Sequence, residues 1–233
     1  MSGARPVETV RVGVAVPAAG SGQRMGGARK PFLELAGEPV LLRSLRPFLA
    51  DPRVVAVVVA LAEPDAAAPP AWLTGLDPRI RVVRGGDTRA ESVRRALAAL
   101  PEDVDVVAVH DAARPLVTEE VVARCIDVAA AGEGAVAGCP AVDTVKEVDG
   151  EGRVVATPDR RRIWHAHTPQ VFPAGALRRA YQGDLAGATD DASLVERGAL
   201  TVRMVDGGAA NLKVTRAADL ALAEAILRTR EGR

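Results

Sequence analysis

Aromatic side chains are few in this chain: two Trp, one Tyr and three Phe in 233 residues. That is too little to stack successive bases of a single-stranded nucleic acid. Net charge is lacking as well, because 30 Lys+Arg balance 30 Asp+Glu, whereas proteins that hold nucleic-acid phosphates do so through a basic excess. No nucleic-acid partner is expected. Long apolar runs are missing too. The longest, 54–62, has about half the ~20 residues that span a bilayer, and residues 1–11 contain no signal-peptide core, so neither export nor membrane insertion is expected. Cysteine is limited to Cys125 and Cys139, without the spacing of a zinc site or a disulfide framework. Both fall in apolar stretches, as reduced, buried thiols of a cytoplasmic protein would.

What remains is an ordinary globular composition, 48% hydrophobic and 26% charged, long enough for one core that needs no cross-link. Short β-branched runs at 10–16, 53–61, 80–83, 104–109, 134–139 and 200–205 alternate with amphipathic stretches at 39–50, 88–100, 118–131, 173–182, 190–197 and 216–229. That is the rhythm of βαβ units. The strand runs are apolar throughout rather than alternating, so both sheet faces should be covered. The expectation is an α/β fold with a Rossmann-like, mostly parallel sheet flanked by helices. The segment 142–157 breaks the rhythm and reads as a β-hairpin around Asp149-Gly150-Glu151-Gly152. A single domain over 1–233, with a protruding arm at about 140–160, follows.

Ligands of open α/β sheets lie beyond the carboxyl ends of strands. After the first strand comes Pro17-Ala18-Ala19-Gly20-Ser21-Gly22-Gln23-Arg24-Met25-Gly26-Gly27-Ala28-Arg29-Lys30-Pro31. Small residues let a ligand approach the backbone, and exposed N–H groups there form a concavity for phosphate. The spacing of Gly20, Gly22 and Gly26 fits neither the dinucleotide fingerprint nor a P-loop. Arg24 and Lys30 on the same loop favour a triphosphate clamp over the alternative, a glycine turn with solvated charges. After the third strand stand Gly86, Asp87, Arg89 and Ser92; after the fourth, His110, Asp111 and Arg114. Asp111 closes a buried strand and could ligate Mg²⁺ on a phosphate, or be a turn residue. His110 reads better as a hydrogen-bonded structural histidine than as a base. His165 and His167 lack a third ligand for a metal.

Lysine is scarce in an informative way, since of 30 basic residues only Lys30, Lys146 and Lys213 are lysine. A chain that uses arginine for surface charge keeps lysine where a compact ammonium on a flexible stem is wanted. Lys213 lies in a short strand-like stretch, Asn211-Leu212-Lys213-Val214-Thr215, before the last helix.

Taken in order, Pro17-Ala18-Ala19-Gly20-x-Gly22-x-Arg24-Met25 with Lys30, Gly85-Gly86-Asp87-x-Arg89-x-x-Ser92, Val109-His110-Asp111-Ala112-Ala113-Arg114-Pro115, Asp143-Thr144-x-Lys146, Trp164-His165-Ala166-x-Thr168-Pro169-Gln170, Thr189-Asp190-Asp191 and Asn211-x-Lys213-Val214-Thr215 resemble the 2-C-methyl-D-erythritol 4-phosphate cytidylyltransferase family of non-mevalonate isoprenoid synthesis. The resemblance spans about 12–229. It implies a nucleotidyltransferase-type fold and transfer of CMP from CTP to an alcohol phosphate, releasing pyrophosphate. It implies that Arg24 and Lys30 hold the β- and γ-phosphates and that Lys213 sits by the α-phosphate. Asp111 would bind Mg²⁺ or another divalent cation. Ala18, Ala19, Gly20, Gly86, Asp87 and Ser92 would contact the nucleotide, while Thr144, Lys146, Arg160, Arg114 and Thr168 would line the alcohol-phosphate pocket. A homodimer is implied, with the arm reaching the partner's site. Pro31 after the lysine and Ala210 before Asn211 depart from the family pattern. The sister activity on ribitol 5-phosphate shares almost every CTP-side motif, and a non-catalytic nucleotide-binding regulator would be expected to lose Lys30, Lys213 or Asp111.

Overall fold

The computed structural model describes residues 10–20 and 30–232. In chain order these form β1 (Val12–Ala18), β2 (Glu34–Leu35), β3 (Glu38–Pro39), α1 (Val40–Leu49), β4 (Val54–Leu61), α2 (Glu63–Ala67), α3 (Ala71–Thr74), β5 (Ile80–Arg84), α4 (Arg89–Ala99) and β6 (Val106–Val109). They continue as α5 (Glu119–Ala130), β7 (Gly134–Pro140), β8 (Glu147–Val148), β9 (Val154–Ala156), β10 (Trp164–Pro173), α6 (Ala174–Gln182), α7 (Asp191–Glu196), β11 (Val202–Asp206) and α8 (Ala217–Glu231).

The main sheet has seven strands in the order β11-β7-β10-β6-β1-β4-β5. The apolar runs are strands because both faces are packed, as their composition required. Along β1, Val12, Val14 and Val16 face one core with Leu41, Leu45 and Phe48 of α1 and Val122 and Ile126 of α5. Ala15, on the opposite face, joins Val93 and Leu97 of α4 and Leu177 of α6. A fully buried Val or Leu contributes about 1.5–3 kcal/mol, so these two layers account for most of the cohesion. Helix α4 starts where expected. Thr88 accepts from the Glu91 N–H at 3.1 Å and Glu91 accepts from the Thr88 N–H at 3.1 Å, a reciprocal cap.

The structure departs from the sequence expectation in three places. The polar segment Trp164–Pro173 is the ten-residue strand β10, antiparallel to both β6 and β7. Its two histidines mask a strand whose second half, from Thr168 to Phe172, is buried. The stretch 211–215, read as strand-like, is an irregular connection. Short helices α2 and α3 occupy much of the connection between β4 and β5, to which the sequence assigned no helix. The arm at 142–157 does carry a hairpin, β8 against β9. Asp149 organises its turn by accepting from the N–H groups of Glu151 (2.9 Å) and Arg153 (3.0 Å). Among the described residues, no helix is long and apolar enough to cross a membrane.

Candidate active site

The carboxyl ends of β1, β4 and β6, the loop after β5 and the 211–215 segment together enclose a cleft of about 640 Å³, well within the range of small-ligand sites. Its wall brings together Ala18, Ala19, Gly20, Gly86, Asp87, Ser92, Asp111 and Lys213 of the sequence candidates, and adds Arg89, which the sequence offered after the third strand without a role. Its placement at the first position of α4 was a usable signal, because a cation there opposes the helix dipole and needs a compensating partner.

The nucleotide-side wall depends on close packing. A Cβ on Gly85 would stand 2.4 Å from the Ala19 Cβ, and one on Gly86 would stand 2.3 Å from the Glu91 Cβ. Only glycine lets the loop after β5 lie this near the loop after β1. Ser92 shapes the wall, since its hydroxyl accepts from the Gly86 N–H at 3.1 Å and donates to the Thr88 carbonyl at 3.0 Å. Asp87 is exposed at the rim.

Asp111 is the electrostatic centre. Its Oδ1 accepts from Arg89 Nε at 2.9 Å, its Oδ2 lies 2.7 Å from Lys213 Nζ, and Arg114 Nε is 3.8 Å from Oδ2. Burial acts to raise the Asp111 pKa, but the charges of Arg89 and Lys213 and their hydrogen bonds outweigh it and hold the carboxyl well below the usual range. The backbone fixes Lys213 in place. The Val214 N–H donates to the Ala113 carbonyl at 2.8 Å, Arg114 donates to the Asn211 carbonyl at 2.7 Å, and Asn211 Nδ2 donates to the Thr168 carbonyl at 2.9 Å.

Other candidates lie elsewhere. Thr168 and Arg114 were expected to line the alcohol-phosphate pocket, but both are buried behind the cleft wall. The Thr168 hydroxyl is engaged by the Asp111 N–H (3.0 Å) and His110 Nδ1 (3.1 Å), so it steadies Asp111 from behind. Thr144, Lys146 and Arg160 lie on or beside the exposed arm, outside the cleft lining. There Lys146 Nζ donates to Thr157 Oγ1 at 2.8 Å, and Arg160 donates to the Val142 carbonyl at 2.5 Å. Arg24 lies outside the described residues, and for Lys30 the structure describes the backbone, in the single turn Lys30–Phe32.

His110 is completely buried, and its Nε2 lies 3.2 Å from the Arg114 carbonyl. Nε2 therefore carries the proton and donates, while Nδ1 accepts from Thr168. Burial pushes its imidazole down to about 4, and burial with the Arg114 charge does the same to His167. Neither is placed as a general base. Because the folded state holds His110 neutral, its stabilising contribution is complete above pH 6.5 and is lost as pH falls from 6.5 toward 4. We expect urea denaturation to show a loss of about 2–3 kcal/mol between pH 7 and pH 4.5 from His110, with a further loss from His167. Depressed carboxylates add theirs only below about pH 4. Unchanged stability over that window would contradict the assignment.

No group of three or more His, Cys, Asp or Glu that could hold a metal exists among the described residues. Asp111 alone nevertheless suits Mg²⁺, which binds through one or two carboxylates and takes its remaining ligands from phosphates and water. A carboxylate has about four lone-pair directions, and Arg89 and Lys213 occupy two.

Comparison with known proteins places this geometry. Residues 12–229 match the family model of 2-C-methyl-D-erythritol 4-phosphate cytidylyltransferase, IspD. The proteins of that name from Symbiobacterium thermophilum and Aeromonas hydrophila are each 46% identical, over 94% of this chain and 93% and 90% of theirs. The crystal structure of 4-diphosphocytidyl-2C-methyl-D-erythritol synthase from Anaerococcus prevotii superposes with a TM-score of 0.85 at 27% identity, covering 95% of this chain and 98% of that one. The cytidylyltransferase of Thermus thermophilus gives 0.76 at 33% identity, covering 94% and 99%.

Proposed function

The chain belongs to the 2-C-methyl-D-erythritol 4-phosphate cytidylyltransferase family; it transfers CMP from CTP to that alcohol phosphate, and we propose that it does so by alignment and charge neutralisation at Asp111, Lys213 and the loop after β1. The single observation that carries this reading is the cleft itself. A small-residue backbone loop and a lysine held 2.7 Å from a buried aspartate share one cavity at the strand ends. The family match selects methylerythritol phosphate over the ribitol phosphate that shares the CTP-side motifs.

The substrate's phosphate monoester is already ionised near pH 7 and attacks the α-phosphorus of CTP, with pyrophosphate leaving in line. No general base is needed, which suits a cleft whose nearest histidine is buried and hydrogen-bonded. The remaining work is positioning and neutralising charge. Lys213, on its flexible stem, offers a point charge to the α-phosphate as negative charge concentrates there. The backbone of Ala18 and Ala19, with Gly86, Asp87 and Ser92, reads the cytosine edge and ribose. Arg24 and Lys30 hold the outer phosphates. Asp111 holds a divalent cation, which when bound supplies further neutralisation of the triphosphate. With CTP and a panel of alcohol phosphates, pyrophosphate release should be fastest with methylerythritol phosphate and require a divalent cation. UTP and ATP should be poor donors. ATP turnover as fast as CTP turnover would overturn the nucleotide reading.

The cytoplasm is the expected location, in keeping with two free, buried cysteines. The working unit is a homodimer. Val142, Val148, Val154 and Val155 of the arm segment are 51–77% exposed, an apolar surface suited to a second copy. Thr144, Lys146 and Arg160 would then complete the partner's alcohol-phosphate pocket. Mixing Arg160→Ala subunits with Lys213→Ala subunits should restore activity, because one of the two shared sites then carries neither lesion. No restoration despite demonstrated subunit exchange would rule out sharing.

A further inference from the structure

Arg89 faces the cleft but is held from behind. Its two terminal nitrogens donate to Asp191 Oδ1 at 3.1 Å and Oδ2 at 2.7 Å, leaving Nε to donate to Asp111 Oδ1 at 2.9 Å. One guanidinium therefore spans two carboxylates that belong to different elements, the end of β6 and the start of α7. Asp191 is completely buried and does not line the cleft. Tyr181 of α6 donates its hydroxyl to Asp191 Oδ1. The start of α7 is itself fastened to β10, since Gln170 Nε2 donates to Asp190 Oδ2 at 2.8 Å and Gln170 Oε1 accepts from the Ala192 N–H at 2.9 Å.

This arrangement is expensive for the fold. A fully buried carboxylate is unfavourable unless paired and hydrogen-bonded, and a cation at the first position of α4 opposes the helix dipole. Each defect is offset by the other. The result is an arginine whose terminal nitrogens are directed at Asp191 and whose Nε alone is presented to Asp111.

We propose that Asp191 and Tyr181 are positioning residues for the transfer reaction, holding the Arg89 fork so that Asp111 meets it through Nε alone and keeps lone pairs for a divalent cation beside Lys213. This inference rests on the reading of Asp111 as the cation's protein ligand. Without Asp191 the planar fork is free to turn and grip Asp111 through two parallel N–H groups, the geometry arginine favours with a carboxylate. The grip would use the lone pairs that a metal needs.

The test is calorimetric affinity for CTP, with and without Mg²⁺, on the full chain; the readout is the factor by which Mg²⁺ tightens binding. Asp191→Asn is expected to lower that factor on the order of tenfold. Tyr181→Phe, which removes one hydroxyl and no charge, should lower it less, in the same direction. It also keeps the test decisive if Asp191→Asn does not fold by circular dichroism. In an Arg89→Gln background, Asp191→Asn should change the factor by less than about twofold, because its route to Asp111 has been removed. Folded variants with the parent's factor, or effects that add in the Arg89→Gln background, would overturn the inference. A parent whose CTP binding Mg²⁺ does not tighten would overturn the metal reading of Asp111 itself, and this inference with it.

Discussion

Replacing Lys213 with alanine is expected to lower kcat by on the order of 10²- to 10³-fold, the usual consequence of removing one preorganised charge from a developing anion. Under the proposed mechanism Lys213 acts on the ligand rather than on the fold. Its ammonium lies 2.7 Å from Asp111 Oδ2 while its side chain remains 41% exposed, on the wall of the cleft. The backbone on either side is tied down by hydrogen bonds from Val214 to Ala113 and from Arg114 to Asn211, so the alanine variant should fold with normal circular dichroism. Lys213→Arg is the more discriminating change. It keeps the charge but substitutes a larger planar fork, whose bidentate preference should lock it onto Asp111. Loss should fall on kcat more than on the KM for CTP, because the contact strengthens as charge concentrates at the α-phosphorus. Steady-state kinetics with parent-like kcat in both variants would remove Lys213 from the reaction.

Asp111→Asn is expected to separate binding from turnover. Among the described residues, the carboxylate is the only negative group paired with Arg89 Nε and Lys213 Nζ, and asparagine keeps its shape while removing the charge that offsets these cations. The cleft becomes more positive, so CTP without metal should bind about three- to tenfold more tightly, an electrostatic gain on the order of 1 kcal/mol across partly screened distances. Turnover should nevertheless fall on the order of 10²-fold or more, and its dependence on divalent cation should flatten, because the proposed protein ligand for the metal is gone. Stability of the free enzyme should fall by about 1–3 kcal/mol as charge-assisted hydrogen bonds are lost. Metal-free binding weaker than the parent's, or an undiminished response to Mg²⁺, would contradict this account.

The two changes probe residues that were legible in different ways. Asp111 stands out because it ends an apolar run, and a carboxylate directly after a buried strand is stiffly held at the ligand-binding edge of a parallel sheet. Lys213 stands out only against composition, as one of three lysines among thirty basic residues. Ser92 and Thr168 were singled out in the sequence, but what their hydroxyls bond to was not legible there. Each spends its hydroxyl on the protein, Ser92 on the turn around Gly86 and Thr168 on Asp111 and His110. Which of several acceptors a hydroxyl meets is decided by packing, and no spacing rule conveys it.

By itself, the sequence determined the layers and the edge at which the chemistry sits. Continuous apolar strands require helices on both faces, the amphipathic run over 88–100 forms α4, and polar residues after β1, β5 and β6 lie at the carboxyl ends by the arithmetic of βαβ connection. Only the tertiary structure decided where β10 runs and what surrounds Asp111. The first half of β10 is only partly buried, and it becomes a strand through long-range pairing with β7, Trp164 opposite Pro140, while the second half also pairs with β6, Gln170 opposite Val109. The chain of contacts from Tyr181 through Asp191 and Arg89 to Asp111 draws on α6, α7, α4 and the end of β6. Local propensity acts over a few residues, whereas the partner of a buried charge is chosen by desolvation and by which groups folding brings within about 3 Å.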